Sequence, residues 1–399
     1  VTRILWFGDA AQTGFGTVTW DLVTRLLAQG DDVRLLSQNQ TADPIPHPLG
    51  ERTWDVSRGV DFPGIVANGF RDGWKPETCV ILGDFFAVRG YVLGTGPQVT
   101  QSFASIPSFH YCPVEGIDLP PAWKQVWDIV KPIAMSEFGA DQIEKVTGVR
   151  PPMVYHGVNT DDFFPVAPNR PGKAKGKVIV TKDGAKSVFG YPSDRVMVLR
   201  TDRHMPRKMQ NRLIAAMVPV FDAVPNADLV LHCSPIDQGG VLRDTISKLS
   251  PEHAARVMFT NAHDTFRGLD RNALNVLYNA ADIYASIGAE GFGLTIAEAI
   301  ACGTPAVAMD YSAVPEVVGP AGVLIPPAYL VDNEYDHKWA AIDSDLFTEA
   351  VIRLAQKPAV RRQLGSLGPA HVKANFDWDH SAAQFHDILA AATKQEAAA

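Results

Sequence analysis

The stretch Gly288-Ala-Glu290-Gly291-Phe292-Gly293-Leu294-Thr-Ile-Ala-Glu298-Ala-Ile-Ala-Cys-Gly303-Thr-Pro305 decides the reading of this chain. An apolar run over 283–286 enters it as a strand, and a helix is expected to start near 293–295. Gly303 stands where a helix ends, and Pro305 blocks its continuation. Glu290 then lies in the loop before the helix, and Glu298 lies about a turn inside it. A helix N-terminus offers unpaired N–H groups and about half a positive charge. Gly291 and Gly293 allow a ligand to approach the backbone closely. The turn 291–294 therefore suits a diphosphate. The two carboxylates suit hydroxyl groups on either side of it, as a ribose reader requires.

Outward from this stretch, short apolar runs alternate with helical patterns. Strands are expected at 196–199, 229–232, 257–260, 283–286 and 306–309, with helices over 212–224 and 273–280 between them. The first half shows the same alternation. It has strands at 4–7, 33–37, 80–82, 105–110 and 154–155, and helices over 17–29 and 141–146. Two successive doubly wound units result. The stretch 161–186, rich in Pro, Gly and Lys, reads as the linker region, and the stretch 326–345 reads as a long acidic connection. The expected domains are 1–165, a linker region at 166–190, 191–376, and a C-terminal helix at 377–399.

Three further motifs accompany the first. Arg203-His-Met-Pro-Arg207-Lys208 follows the strand at 196–199; His110 closes a strand in Phe109-His110-Tyr-Cys-Pro; and Gln12-Thr-Gly14-Phe15-Gly16 follows the first strand and opens a helix. Alone, each has a bland reading: a solvated basic loop, a satisfied core histidine, a weak G-x-G. The G-x-G does not define a dinucleotide site. Thr19 stands where its third Gly belongs, and no acidic residue ends the strand at 33–37.

Taken together, these residues resemble the retaining glycosyltransferases of family GT4. Glu290 and Glu298 are similar to the E-x7-E signature, with matching Glu-Gly-Phe-Gly-Leu and Ala-Cys-Gly-Thr-Pro flanks. Arg203 and Lys208 are similar to the R-x4-K element that neutralises the donor diphosphate as charge builds on the leaving phosphate. Met209 departs from the Gly or Asn usual after that lysine. The resemblance extends to Met135-Ser136-Glu137-Phe138-Gly139, Tyr155-His156-Gly157-Val158-Asn159 and Phe376-Asp-Trp378. The region 43–74, which commonly shapes the acceptor site, resembles nothing in the family pattern.

The resemblance implies an α/β chain of GT-B fold, two Rossmann-like doubly wound parallel-sheet domains facing across a cleft. It implies a nucleoside-diphosphate sugar as donor, a UDP- or GDP-sugar foremost, a hydroxyl-bearing acceptor and no required metal. His110, Arg203, Lys208 and Glu290 are the implied catalytic set. Gly14, Phe15, Gly16, Gly291, Phe292, Gly293, Leu294 and Glu298 are the implied donor-binding set. The stretch from His110 through Pro113, Glu115, Asp118 and Pro120 to Trp123 resembles a P-V-D-G…P…W segment of GT4-like proteins from archaea and bacteriophages. Some phage members act on modified DNA bases, so such DNA is one candidate acceptor. Lys173, Lys175, Lys177, Lys182 and Lys186 would then meet DNA phosphates, or else solvate the linker.

Composition narrows the rest. A formal net charge of -8 gives no global pull toward nucleic acid or anionic membrane. The chain has 4 Cys and no C-x-x-C pair, which argues against a zinc knuckle and fits a reducing, cytoplasmic setting. No run approaches the roughly 20 apolar residues of a membrane span. Two rivals share the architecture: a sugar-nucleotide epimerase, and a non-catalytic protein that binds a sugar nucleotide or nucleic acid.

Overall fold

The computed structural model describes residues 1–11, 13–38, 52–55, 60–260 and 269–398. The chain divides into two compact units. The first comprises Val1–Gly157 and Phe376–Ala399, and the second Val158–Asn375.

The first unit is built on β1 (Arg3–Gly8), β2 (Asp32–Ser37), β3 (Thr53–Asp55), β4 (Thr78–Leu82), β5 (Ser108–Cys112) and β6 (Lys131–Ala134). They form one sheet in the order β3-β2-β1-β4-β5-β6, with every neighbouring pair parallel. Strands β4 and β5 are buried along their whole length, which is why their sequences are mostly apolar rather than alternating. The helix Trp378–Ala398 belongs to this unit: Phe385 packs against Trp6 of β1 and Tyr111 of β5. Gly157 touches the same helix so closely that a Cβ there would lie 2.5 Å from Trp378. The expected strand at 154–155 does not form. Val154 N–H donates to Ala134 O and Met153 makes one isolated bridge, so the chain leaves the sheet after a single rung.

In the second unit the stretch expected as a linker is folded. It forms an antiparallel hairpin, β7 (Gly172–Ala174) and β8 (Lys177–Ile179), and the helix Lys182–Val188. Lys186 is buried and pairs with Asp282 at 2.8 Å, so this lysine is a structural ion and not a contact for DNA. The main sheet comprises β9 (Val196–Arg200), β10 (Ala227–Leu231), β13 (Val257–Phe259), β14 (Ile283–Ser286), β15 (Ala306–Met309) and β16 (Gly322–Ile325). Its order is β13-β10-β9-β14-β15-β16, again all parallel. A small hairpin, β11 (Ile236–Asp237) and β12 (Gly240–Val241), follows β10. The stretch 326–345, expected as an open connection, contains another antiparallel hairpin, β17 (Pro327–Asp332) and β18 (Lys338–Ile342). The two Rossmann-like parallel-sheet units make this a GT-B architecture.

Candidate active site

In the second unit, the order of strands reverses at β9, which lies between β10 and β14. The connection after β9 runs toward one edge, to β10, and the connection after β14 runs toward the other, to β15; ligands of open α/β sheets bind at the carboxyl ends of strands at such a point. The loops that follow β9 and β14 carry the residues of both sequence motifs.

After β9 the chain runs from Arg200 to a short 3-10 turn, Pro206–Lys208, capped by Met209 in the left-handed region at φ 54°. After β14 it runs through Gly288 and Glu290 to the helix Leu294–Ala301, whose N-cap is Gly293 at φ 108°. The two loops press together at Gly288. A Cβ there would stand 2.5 Å from Arg207 O and 2.8 Å from Lys208 Cα, so only glycine admits the approach.

This contact assembles a buried ion cluster. Lys208 Nζ lies 2.9 Å from Asp202 Oδ1 and 2.5 Å from Glu290 Oε2. Arg207 donates to Glu290 Oε2 at 3.1 Å and to Ala289 O at 2.9 Å. Arg200 is 1% exposed and bridges Asp202 at 2.7 Å and Glu290 at 3.4 Å, while donating to Ala285 O. Glu290 N–H donates to Ser312 Oγ at 2.9 Å, which fixes the loop. Three cations thus face two carboxylates. Burial pushes the Glu290 carboxyl up, but Lys208, Arg207 and Arg200 outweigh it and hold the group down at about 2. Glu290 is therefore an ionised acceptor across the physiological range.

Glu298 is buried a helical turn away and accepts from the Tyr278 hydroxyl at 2.8 Å. That hydroxyl also meets Thr201 Oγ1 at 3.0 Å, and Thr201 Oγ1 meets the Tyr284 hydroxyl at 3.1 Å. A polar chain thereby ties Glu298 to the end of β9. Phe292 is buried beneath the turn. Gly291 and Gly293 are buried as well, and Leu294 opens the helix half-exposed.

The structure unites Lys208, Glu290 and the 291–294 turn, and it places Glu298 one helical turn further on. Arg203 is turned aside: its guanidinium forms a bidentate pair with Asp237 at 3.0 and 2.8 Å. Sequence reasoning missed Arg200, Asp202, Tyr278, Ser312 and Asp237. Arg200 carried a signal, since it is the one charged residue in an otherwise apolar strand.

The remaining candidates lie in the first unit. His110 is fully buried. Its Nε2–H donates to Gly83 O at 2.9 Å, and its Nδ1 accepts from Trp127 Nε1 at 3.3 Å. Burial drives its pKa down to about 4, so the ring is neutral with both nitrogens engaged. Gly14, Phe15 and Gly16 open the helix Gly14–Ala28, whose N-cap Thr13 accepts from Gly16 N–H at 3.0 Å. Gly16 is required by packing, because a Cβ there would overlap Ala11 O at 1.7 Å. Gln12 lies outside the described residues, as do 43–51 and 56–59 of the region 43–74. All four cysteines are free and buried. Among the described residues no helix is long and apolar enough to cross a membrane.

Fold and site together define a GT-B protein with an acidic–basic centre on its second sheet. Residues 195–357 match the family model described as "Glycosyl transferases group 1". A GDP-mannose-dependent monoacylated alpha-(1-6)-phosphatidylinositol monomannoside mannosyltransferase of Corynebacterium glutamicum is 28% identical over 241 residues, covering 58% of this chain and 54% of that protein. A D-inositol 3-phosphate glycosyltransferase of Streptomyces bingchenggensis is 27% identical over 270 residues, covering 66% and 53%. The chain thus spans about half the length of these curated relatives. Among solved structures, sucrose-phosphate synthase from Thermosynechococcus elongatus superposes with a TM-score of 0.70 at 21% identity, over 100% of both chains. Anabaena Alr3699/HepE in complex with UDP-glucose gives 0.68 at 17% identity, over 98% of this chain and 100% of that one. At these identities the structural likeness shows the fold.

Proposed function

We propose that the chain is a retaining, metal-independent glycosyltransferase that moves a sugar from a nucleoside-diphosphate sugar to a hydroxyl acceptor. The observation that carries this reading is the buried cluster of Lys208, Arg207 and Arg200 around Glu290 at the sheet's switch point. Its cations outnumber its carboxylates by one. An added diphosphate would find that charge, with the 291–294 turn and the N-terminus of the helix Leu294–Ala301 beside it.

In this reading Lys208, joined by Arg203 once it exchanges Asp237 for phosphate oxygen, draws off the charge that develops on the leaving phosphate. Lys208 exchanges Glu290 for phosphate oxygen, and Arg207 keeps the carboxylate oriented. Glu290 then accepts from hydroxyls of the donor sugar, and Glu298 with Tyr278 holds the ribose. A carboxylate ionised down to about pH 2 is no general acid. The proposed step is substitution on the face of the departing phosphate, with retention of configuration, as the resemblance to the retaining family implies. His110 receives no proton-transfer step, since both ring nitrogens are engaged.

GDP-mannose and UDP-glucose occur in the names of the relatives and neighbours, which supports testing guanine and uracil donors first. The test incubates the protein with UDP- and GDP-sugars and a panel of hydroxyl acceptors: inositol phosphates, glycosides, lipids and hydroxymethylated DNA. Nucleoside diphosphate release coupled to a glycoside of unchanged anomeric configuration is the expected result. An epimerised nucleotide sugar, or tight binding with no product from any acceptor, would replace this reading by one of its rivals.

A further inference from the structure

Asp202 stands in the ion cluster beside Glu290, yet the proposed transfer gives it no role. It lies just past the end of β9, and its side chain is 8% exposed. Three groups surround the carboxylate. Arg200 reaches it at 2.7 Å, Lys208 Nζ lies 2.9 Å from Oδ1, and Thr295 Oγ1 lies 3.5 Å from Oδ2. Thr295 is the second residue of the helix Leu294–Ala301, so Asp202 places a fixed negative charge at the helix end that favours anions.

That charge bears on the leaving group. A phosphate oxygen held by Lys208 Nζ at an ordinary hydrogen-bond length lies no more than about 6 Å from Asp202 Oδ1, because the two oxygens share one nitrogen. At this range two anions repel appreciably in a partly buried site. Glu290 turns from Lys208 to sugar hydroxyls in the proposed reaction, whereas Arg200 keeps Asp202 in place.

The diphosphate of a nucleotide sugar carries one negative charge on each phosphate. Transfer breaks the bond between the anomeric carbon and the phosphate oxygen, and the electron pair stays on that oxygen. The new bond forms to the acceptor oxygen, whose proton passes to solvent above the terminal phosphate's second pKa of about 6. The free diphosphate thus gains a negative charge that the donor lacks. The cluster holds a surplus of a single cation, so this added charge meets Asp202 without a matching partner.

We propose that Asp202 sets the centre's selectivity between donor and product. It weakens the hold on a free nucleoside diphosphate and so promotes its release, while it tolerates the doubly esterified diphosphate of a nucleotide sugar. The inference rests on the proposed diphosphate centre at Lys208 and Glu290.

The test is calorimetric titration of the full chain as wild type, Asp202→Asn and Asp202→Glu. The ligands are UDP and GDP, the β-methyl ester of each, UDP-glucose and GDP-mannose. The methyl ester carries no sugar and differs from the free diphosphate chiefly in charge. In the base series that binds, the wild type should hold the ester at least as tightly as the free diphosphate. Asp202→Asn keeps the shape of the side chain and removes its charge, and it should tighten the free diphosphate about tenfold relative to the ester and the sugar nucleotide. Asp202→Glu keeps the charge and should keep the wild-type ratio. A merely structural role would weaken all three ligands together and leave the ratio unmoved. A wild type that prefers the free diphosphate to its ester, or a ratio that Asp202→Asn does not change, would overturn the role of Asp202 and spare the diphosphate centre. Binding of none of the six ligands by the wild type would remove the centre and the inference with it.

Discussion

Lys208 Nζ stands 2.5 Å from Glu290 Oε2, although 82 residues separate the two in the chain. The pairing exists because Gly288 lets the loop after β14 rest on the backbone of the turn after β9. Replacing Lys208 by Ala leaves Asp202 paired with Arg200, and Glu290 paired with Arg207 and Arg200. No buried carboxylate is stranded, so the stability cost should fall below the ~3–5 kcal/mol of a broken buried pair. Turnover should nevertheless fall about 10²–10³-fold, as when one preorganised donor to a developing oxyanion is lost. Circular dichroism and steady-state rates on the same preparation check both halves.

Tyr278 and Glu298 predict a different kinetic signature. A ribose contact is made equally in the ground and transition states, so removing it raises KM and spares kcat. Tyr278→Phe and Glu298→Gln should each raise the donor KM roughly five- to tenfold. A fall in kcat with unchanged KM would move Glu298 out of the ribose role.

Gly288→Ala tests the loop contact itself. The added Cβ would meet backbone at 2.5 and 2.8 Å, which no side-chain adjustment relieves. A destabilisation of about 1–3 kcal/mol is expected from the overpacking. Activity should fall as far as in Lys208→Ala, because the two halves of the ion cluster are pushed apart. Chemical denaturation and rate measurements decide this.

Acid should weaken the first unit before the second centre loses its charge. His110 and His156 are buried, which lowers their pKa values from 6.5 to about 4 and about 3. As pH falls below 6.5 the unfolded chain takes up protons that the folded chain refuses, so stability drops toward pH 4. Each histidine adds a slope approaching about 1.4 kcal/mol per pH unit in that window. Glu290 acts lower: its contribution is complete above 4.5 and is lost as pH falls toward about 2. Urea midpoints from pH 7 to pH 4 should decline in the wild type and decline less steeply in His110→Gln. Equal slopes in the two proteins would contradict the burial argument.

The main sheets were legible because strands buried on both faces write themselves as apolar runs, as at Val196–Arg200 and Ile283–Ser286. The spacing of Glu290 and Glu298 around a Gly-rich turn likewise announced its place at a helix start. The hairpin β17–β18 escaped because β17 is mostly exposed and carries no alternating pattern. The strand Lys131–Ala134 escaped because it begins Lys-Pro, which reads as a break. Partners distant in sequence were also invisible. Nothing local to Arg203 reports that Asp237 holds it, and nothing near Arg200 reports that it bridges Asp202 and Glu290.

The most direct measurement is the thermal shift given by UDP, GDP, ADP, CDP and dTDP on the wild type and on Lys208→Ala. A ligand at ~100 times its dissociation constant adds about 2.7 kcal/mol, a plainly visible shift. The account predicts a clear shift with one diphosphate in the wild type and its loss in the variant. An equal shift in both proteins, or no shift with any of the five, would contradict a diphosphate centre at Lys208 and Glu290.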